Sequence, residues 1–221
     1  MDLFDLIGPV MVGPSSSHTA GAARIGLTAY LLLGEEVAKA DIALHGSFAK
    51  TYHGHGTDRA VVGGLMGMAV DDLRLRDSLE LAKEKGLAIS IRQVSIRGAH
   101  PNTVRLEITG VSGKTLTMEA ASVGGGNIEI HRLDGLKVDF TGKENTLIVH
   151  HSDLPGVIAR VTGSIAQCGI NIAGMQVFRR EAGKEAIMVL ELDGVPDEAE
   201  LETLSGIGHV QRCTFLKGRT A

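Results

Sequence analysis

Aromatic side chains are scarce in this sequence, which has no tryptophan and only 3% aromatic residues in total. Single-stranded nucleic acids bind largely by stacking their bases on aromatic rings, so this scarcity argues against such a partner. Positive charge is not in excess either, because the formal net charge is −4 and no basic tract occurs. We therefore expect no nucleic-acid partner.

Cysteine and long apolar runs are also scarce. The two cysteines, Cys168 and Cys213, do not indicate a disulfide framework. No apolar run reaches the length of a membrane span, and residues 1–5 lack the basic start of a signal peptide. We predict a cytoplasmic protein with no membrane partner.

What the sequence does contain is enough apolar material for a packed core. Its 221 residues are 43% hydrophobic and 22% charged, which is typical of one or two folded domains. The 29 glycines cluster in residues 54–67 and 124–126. Such clusters indicate tight turns or places where the backbone approaches a ligand closely.

The first polar cluster is the segment Ser15-Ser16-Ser17-His18-Thr19. Apolar residues at helical spacing follow it as far as residue 33, so the cluster is predicted to lie at a helix N-terminus. Free backbone N–H groups and the helix dipole at that position favour an anion such as a carboxylate. A simple N-cap is the alternative, but a cap requires only one hydroxyl. An anion site is the preferred interpretation.

The second polar cluster lies in residues 46–58 and includes the segment His53-Gly54-His55-Gly56-Thr57-Asp58. We predict that a strand ends at the start of this stretch and that both histidines lie on a glycine-rich loop. Thr57 or Asp58 would then cap the next helix. A solvated surface turn and a metal-binding pair are the alternatives, although no recognised ligand set accompanies the two histidines.

The predicted elements form two domains, residues 1–140 and 146–221, joined by a polar linker at residues 141–145. The first domain is α/β and begins with a short helix or entry segment at residues 2–8. In the second domain the predicted order is βαββαβ, the ferredoxin-like arrangement. The fold class is therefore predicted to be α+β.

The second domain resembles the ACT domain, a small amino-acid-sensing module. The matching residues are Asp153-x-Pro155-Gly156 at the first strand-to-helix turn and Gly169-x-Asn171-Ile172 after the first helix. The N–H groups at that helix N-terminus suit an amino-acid carboxylate, so Asp153, Gly156 and Asn171 are candidate regulatory residues. The pattern leaves open whether serine, another amino acid or nothing binds. The resemblance implies a homo-oligomer, formed through this domain or the N-terminal one.

Four motifs extend the resemblance over the whole sequence from about residue 3. They are Ser15-Ser16-Ser17-His18-Thr19, Gly54-His55-Gly56-Thr57-Asp58, His100-Pro101-Asn102 and Gly124-Gly125-Gly126. In this order they resemble the β subunit of bacterial iron–sulfur-dependent L-serine dehydratase. The resemblance implies a lyase that converts L-serine to pyruvate and ammonia with a [4Fe-4S] cluster and without pyridoxal phosphate, in amino-acid degradation and gluconeogenesis. It also implies an N-terminal half similar to the allosteric substrate-binding domain of some phosphoglycerate dehydrogenases.

The resemblance assigns roles to residues of both clusters. It implies that His18 and His55 are catalytic, and we favour His55 as the base that removes the Cα proton. The helix dipole disfavours a charged His18, which suits a neutral hydrogen-bonding partner of the substrate carboxylate. The candidate substrate-binding residues are Ser15, Ser16, Ser17, Thr19, Gly54, Gly56, Thr57 and Asp58. His100 and Asn102 either bind an effector or shape their turn.

Two cysteines cannot hold a four-iron cluster, which requires three or four thiolates. The resemblance implies that a separate α subunit carries the cluster, that this chain binds no metal, and that it is inactive alone. A non-catalytic amino-acid-sensing module of another enzyme is the alternative function. A metal-dependent hydrolase that uses His53 and His55 is a further alternative.

Overall fold

The computed structural model describes residues 10–218 of the chain. The chain divides into two units, residues 1–135 and residues 136–221. The short helix predicted at residues 2–8 lies outside the described residues. Within residues 10–218, no helix has both the length and the apolar character needed to cross a bilayer.

The first unit combines a mixed sheet with helices. Its helices are α1 (Ala22–Leu33), α2 (Gly46–His55), α3 (Thr57–Leu65) and α4 (Ser78–Glu84), with a π-helical turn at Ser16–Gly21 and a 3₁₀ turn at Leu73–Asp77. Its strands are β1 (Val37–His45), β2 (Ala88–Val94), β3 (Thr103–Gly110), β4 (Thr115–Gly124) and β5 (Asn127–Leu133). They run in the order β2-β1-β3-β4-β5. Only the β1–β2 pair among these is parallel.

Side chains of β1 alternate between the core and the opposite face of the sheet. Ala40, Ile42 and Leu44 are buried, whereas Lys39 and Asp41 remain accessible and form an ion pair. This alternation follows from the two-residue period of a strand. The buried face belongs to a core that α1 and α3 complete.

Helices α1 and α3 cross at two glycines. A Cβ on Gly26 would lie 2.2 Å from the carbonyl oxygen of Val61, and one on Gly64 would lie 2.1 Å from that of Ala23. Only glycine permits this backbone-to-backbone approach. The crossing joins the N-terminal half of α1 to the C-terminal half of α3, and it fixes the two helices that follow the polar clusters relative to each other.

The segment that contains His53 and His55 is a helix, α2, and the prediction of a loop there is wrong. Its glycines and histidines have low helix propensity, but burial of Phe48 and Ala49 overrides that preference. The helix ends where Gly56 adopts φ = 66°. Gly56 is also the N-cap of α3, which has no side-chain cap, so the predicted cap at Thr57 or Asp58 is wrong too.

The second unit confirms the predicted βαββαβ order. After β6 (Leu136–Phe140), its elements are β7 (Asn145–Ser152), α5 (Val157–Gln167), β8 (Ile172–Arg179), β9 (Glu185–Leu192), α6 (Glu198–Ser205) and β10 (Val210–Leu216). Four of these strands form an antiparallel sheet in the order β10-β7-β9-β8. The apolar side chains of β7, β9 and α5 make its core, including Leu147, Val149, Val157, Val161, Ile165, Met188 and Leu190.

Candidate active site

His18 is held in the π-helical turn by two serines. Ser15 is the N-cap of this turn, and its Oγ accepts a hydrogen bond of 3.1 Å from the backbone N–H of His18. The same Oγ lies 3.4 Å from the ring Nδ1, and Ser47 Oγ lies 2.9 Å from Nε2. The hydroxyl cluster therefore lies at a helix N-terminus, as predicted, and both nitrogens of the imidazole face a hydroxyl.

The structure brings the two predicted catalytic histidines together. The ring centroids of His18 and His55 are 4.9 Å apart, with the ring planes inclined by 40°. The rings of Phe48 and His18 meet in a T-shaped contact at a centroid distance of 5.2 Å. Burial lowers the pKa of His18 below its ordinary value, and repulsion from His55 lowers it further. His18 is therefore neutral at neutral pH.

His55 is the last residue of α2, and its backbone is anchored from the first cluster. The buried Thr19 hydroxyl donates to the carbonyl oxygen of His55 at 3.0 Å, which satisfies one of the free carbonyls at the helix end. The ring Nδ1 of His55 is buried and has no hydrogen-bond partner within residues 10–218, and the same is true of Thr57 Oγ1. Buried polar atoms without partners are rare in folded proteins, so these two atoms make this region a candidate for ligand binding.

The Asp58 carboxylate and the ring of His53 are in contact beside His55. Asp58 Oδ2 lies 3.0 Å from Nδ1 of His53, and Oδ1 accepts the backbone N–H of Arg59 at 2.8 Å. The Asp58 side chain is 6% exposed, whereas that of His53 is 78% exposed. The ring of Tyr52 lies over His53 at a centroid distance of 3.9 Å. Both oxygens of Asp58 are thus engaged, and the carboxylate holds His53 in place.

A cavity of about 180 Å³ opens beside His55. Its lining consists of Val12, Gly13, Pro14, Thr19, His53, Gly54, His55, Gly56, Arg59, Ala60, Leu75 and Arg76. Of the residues predicted from the sequence, the cavity thus gathers Thr19, Gly54, His55 and Gly56. His18 contacts the ring of His55 but does not line the cavity.

Three residues of this region were not singled out from the sequence. Ser47 lies 29 positions from His18, so no local motif joins them. Arg59 directly follows the Gly54–Asp58 motif, and that position was the one signal that could have identified it. Arg76 lies in a turn with no recognisable pattern, and only the fold places it at the cavity.

The His100-Pro101-Asn102 turn supports the start of α2. The backbone N–H of Ser47 donates to the carbonyl oxygen of Pro101 at 2.7 Å. Gly46 has φ = 59°, and a Cβ on it would lie 2.5 Å from the same oxygen. Within the turn, the N–H of Asn102 donates to Nδ1 of His100 at 3.1 Å. These contacts shape the turn and, through Ser47, reach His18.

The candidate regulatory residues of the second unit are engaged by neighbouring side chains. Asp153 Oδ2 accepts hydrogen bonds from Arg179 at 2.6 Å and from the N–H of Gly183 at 3.1 Å. The bond from Arg179 is the main cause that lowers the pKa of Asp153. The amide of Asn171 donates to Asp193 Oδ2 at 2.6 Å. Asp153 and Asn171 therefore already have partners inside the unit.

The cysteines do not fit a four-iron cluster. Burial raises the pKa of both Cys168 and Cys213, and a hydrogen bond with Glu200 adds to the rise at Cys168. The thiol of Cys168 donates to the carbonyl oxygen of Ser164 at 3.1 Å. Two protonated thiols are fewer than the three or four thiolates that such a cluster requires. Over residues 10–218, no group of three or more histidine, cysteine or acidic side chains could hold a metal ion.

Comparison with known proteins gives two family matches and several relatives. Residues 1–85 match the family "Serine dehydratase beta chain", and residues 145–209 match the ACT domain. The probable L-serine dehydratase beta chain of Bacillus subtilis (strain 168) is 41% identical over 212 residues, covering 96% of each chain. The L-serine dehydratase beta chain of Peptoniphilus asaccharolyticus is 34% identical over 205 residues, covering 92% of each chain. D-3-phosphoglycerate dehydrogenase of Bacillus subtilis (strain 168) is 29% identical over 187 residues, which cover 84% of this chain and 35% of that protein.

Proposed function

Because the chain belongs to the family of L-serine dehydratase beta chains, we propose that it is the β subunit of a lyase that converts L-serine to pyruvate and ammonia. The observation that carries the proposal is the His18–His55 pair beside a small cavity, in motifs of that family. A cytoplasmic α subunit would hold the [4Fe-4S] cluster, since the thiols of this chain do not fit one, and pyridoxal phosphate would not be used. Homo-oligomers through either unit are part of the same proposal.

His55 is the proposed general base. Dehydration of serine requires removal of the Cα proton and departure of the β-hydroxyl. Histidine is suited to proton abstraction because its ordinary pKa lies near neutral pH. The ring of His55 borders the cavity, and Thr19 fixes its backbone, so the imidazole is held where a substrate can reach it.

His18 is the proposed partner that keeps the His55 ring in place. Its lowered pKa keeps it neutral, so it places no positive charge next to the base and does not repel a proton arriving on His55. Ser47 and Ser15 hold the His18 ring through its two nitrogens. The two histidines thus have different roles because their surroundings differ.

The test is anaerobic co-expression with the α subunit, followed by an assay for pyruvate formed from L-serine. Each chain alone and the pair are compared in the same assay. Activity that requires the pair supports a shared catalytic complex, and the isolated β chain is expected to be inactive. Full activity of the α subunit without this chain would contradict the proposal.

One observation favours a second candidate, an amino-acid-sensing module that regulates another enzyme. The match to D-3-phosphoglycerate dehydrogenase spans both units of this chain but only 35% of that protein. If the chain were only a sensor, removal of the His55 imidazole would leave the turnover of the partner enzyme unchanged. A His55→Ala variant of the complex therefore separates the two candidates.

A further inference from the structure

The cavity beside His55 carries more positive charge than the sequence motifs account for. Arg59 and Arg76 line it together with His53 and His55, and among residues 10–218 no aspartate or glutamate lines it. We infer that Arg59 and Arg76 form a carboxylate-binding pair that takes the α-carboxylate of a small amino acid. This inference rests on the proposed function and names the residues that recognise its substrate.

Both guanidinium groups are available for a ligand. Within residues 10–218, neither Arg59 nor Arg76 makes a side-chain hydrogen bond or an ion pair. Arg74, two positions away on the same 3₁₀ turn, is different, because it forms a forked pair with Asp72 at distances of 2.6–3.1 Å. Asp72 thus neutralises Arg74, whereas Arg76 at the cavity has no counter-ion in the part of the chain that the structure describes.

The two arginines are carried by segments that are fixed to each other. Arg59 lies in the first turn of α3, and the hydroxyl of Ser78 donates to its carbonyl oxygen at 2.7 Å. Leu75, the neighbour of Arg76, is buried against Gly63 of α3, where an added Cβ would lie 2.3 Å from the Leu75 side chain. The spacing of the two arginine backbones is therefore set by the fold.

The nearby carboxylate of Asp58 does not occupy the arginines. Its oxygens accept from His53 and from the backbone of Arg59, which leaves both guanidinium groups to a ligand. Guanidinium groups bind carboxylates with two parallel hydrogen bonds, a geometry that ammonium groups do not offer. The positive end of the α3 dipole adds to the attraction for an anion.

The size of the cavity selects a small ligand. At about 180 Å³ it is smaller than the 300 Å³ or more that is typical of sites for drug-sized molecules. A compact amino acid suits this volume, and a nucleotide does not. The carboxylate carbon of such a ligand is bonded directly to Cα, so binding at the arginines brings the Cα proton towards His55. Positive charge at the carboxylate also stabilises the negative charge that develops when that proton leaves.

The test uses the active two-subunit complex with Arg59→Gln or Arg76→Gln in this chain. Each substitution is expected to raise KM for L-serine about tenfold or more, with a smaller change in kcat. Arg74→Gln is the matched control and should leave KM unchanged. Inhibition by 3-hydroxypropionate, which keeps the carboxylate, should weaken in both variants, whereas serinol, which lacks it, should inhibit none of the proteins. An unchanged KM in both variants, or an equal effect of Arg74→Gln, would overturn the inference.

Failure of the proposed function can be told apart from failure of this inference. If the wild-type complex forms no pyruvate, the proposed function is wrong. The arginine pair is then judged by calorimetric titration of the full-length chain with 3-hydroxypropionate. Binding that is lost in Arg59→Gln and Arg76→Gln but kept in Arg74→Gln supports the pair, and any other pattern overturns it.

Discussion

His55 in the N-terminal unit and Asp153 in the C-terminal unit both occupy positions where the sequence predicts a ligand, but their surroundings differ. Nδ1 of His55 is buried without a partner within the described residues, whereas Asp153 is held by Arg179 and Gly183. A buried polar group without a hydrogen-bond partner lowers the stability of the fold. Proteins retain such groups mainly where a ligand or a binding partner satisfies them. The contrast favours the N-terminal unit as the site of the proposed chemistry, because the Asp153 carboxylate already has partners inside the C-terminal unit.

The largest expected effect is the loss of the base. His55→Ala should lower kcat of the two-subunit complex by about 100-fold or more, the usual contribution of general-base catalysis. His131→Gln is the control, because His131 lies on β5 away from the cavity lining and pairs with Glu129. A kcat within twofold of wild type for His55→Ala would remove His55 from the mechanism.

A pair of glycine substitutions contrasts the packing of the two units. Gly64→Ala places a Cβ 2.1 Å from a backbone oxygen of α1 and should lower the free energy of unfolding by about 1–3 kcal/mol or more. Gly163→Ala on α5 meets no atom within 4 Å and should raise it by about 0.5–1 kcal/mol. Chemical denaturation measures both. Equal effects of the two substitutions would show that the α1–α3 crossing is not closely packed.

Ser47 should act on turnover through His18. Ser47→Ala removes the hydroxyl 2.9 Å from Nε2 and is expected to lower kcat roughly two- to tenfold. A change in the ¹⁵N shifts of the His18 ring should accompany the loss, which a purely structural role would not produce. Ser90→Ala on the exposed face of β2 is the control. Normal kcat and unchanged ring shifts in Ser47→Ala would exclude the positioning role.

The pKa of His18 offers a smaller and more specific test. Because burial is the main cause of its lowered pKa and His55 the second, His55→Gln should raise the pKa only part of the way to its ordinary value of about 6.5. A group with a lowered basic pKa binds protons more readily when unfolded, so its contribution to stability falls as the pH drops below about 6.5. NMR titration of the His18 ring measures the shift. A pKa at or above 6.5 in His55→Gln would contradict the ranking of causes.

The smallest effect is expected in the C-terminal unit. Arg179→Gln removes the main cause of the lowered pKa of Asp153, so this pKa should return towards its ordinary value. The stability that the paired carboxylate contributes is present above the unfolded pKa and is lost as the pH falls through the folded one. NMR titration of the Asp153 carboxyl carbon measures the change. An unshifted pKa in this variant would show that Arg179 does not hold Asp153.

The strands and the C-terminal topology could be predicted because their residues carry the pattern themselves. Apolar and polar side chains alternate in Thr103–Gly110, whereas Glu185–Leu192 is largely apolar. Each pattern indicates from the local sequence alone whether one or both faces of the strand are buried. Helix α2 could not be predicted in this way. Most of its ten residues are poor helix formers, and burial of Phe48 and Ala49 by distant parts of the unit stabilises the helix.

Residues of the candidate site could likewise be predicted only where a contiguous motif contains them. The Ser15–Thr19 and Gly54–Asp58 motifs identify His18 and His55, because residues of one motif are contiguous. Arg59 directly follows the second motif, whereas Ser47 at the start of α2 and Arg76 on the 3₁₀ turn reach the site only through the fold. No pattern of spacing could have assigned Arg76 to the cavity.

The central claim, that the N-terminal unit and not the C-terminal unit of this chain contributes catalytic residues, is tested most directly by one side-by-side measurement. The two-subunit complex is prepared with His55→Ala or with the double substitution Asp153→Asn and Asn171→Ala, and pyruvate formation from saturating L-serine is measured. The account predicts that His55→Ala nearly abolishes kcat and that the double variant keeps it within about twofold of wild type. Full kcat in His55→Ala, or loss of kcat in the double variant, would contradict it.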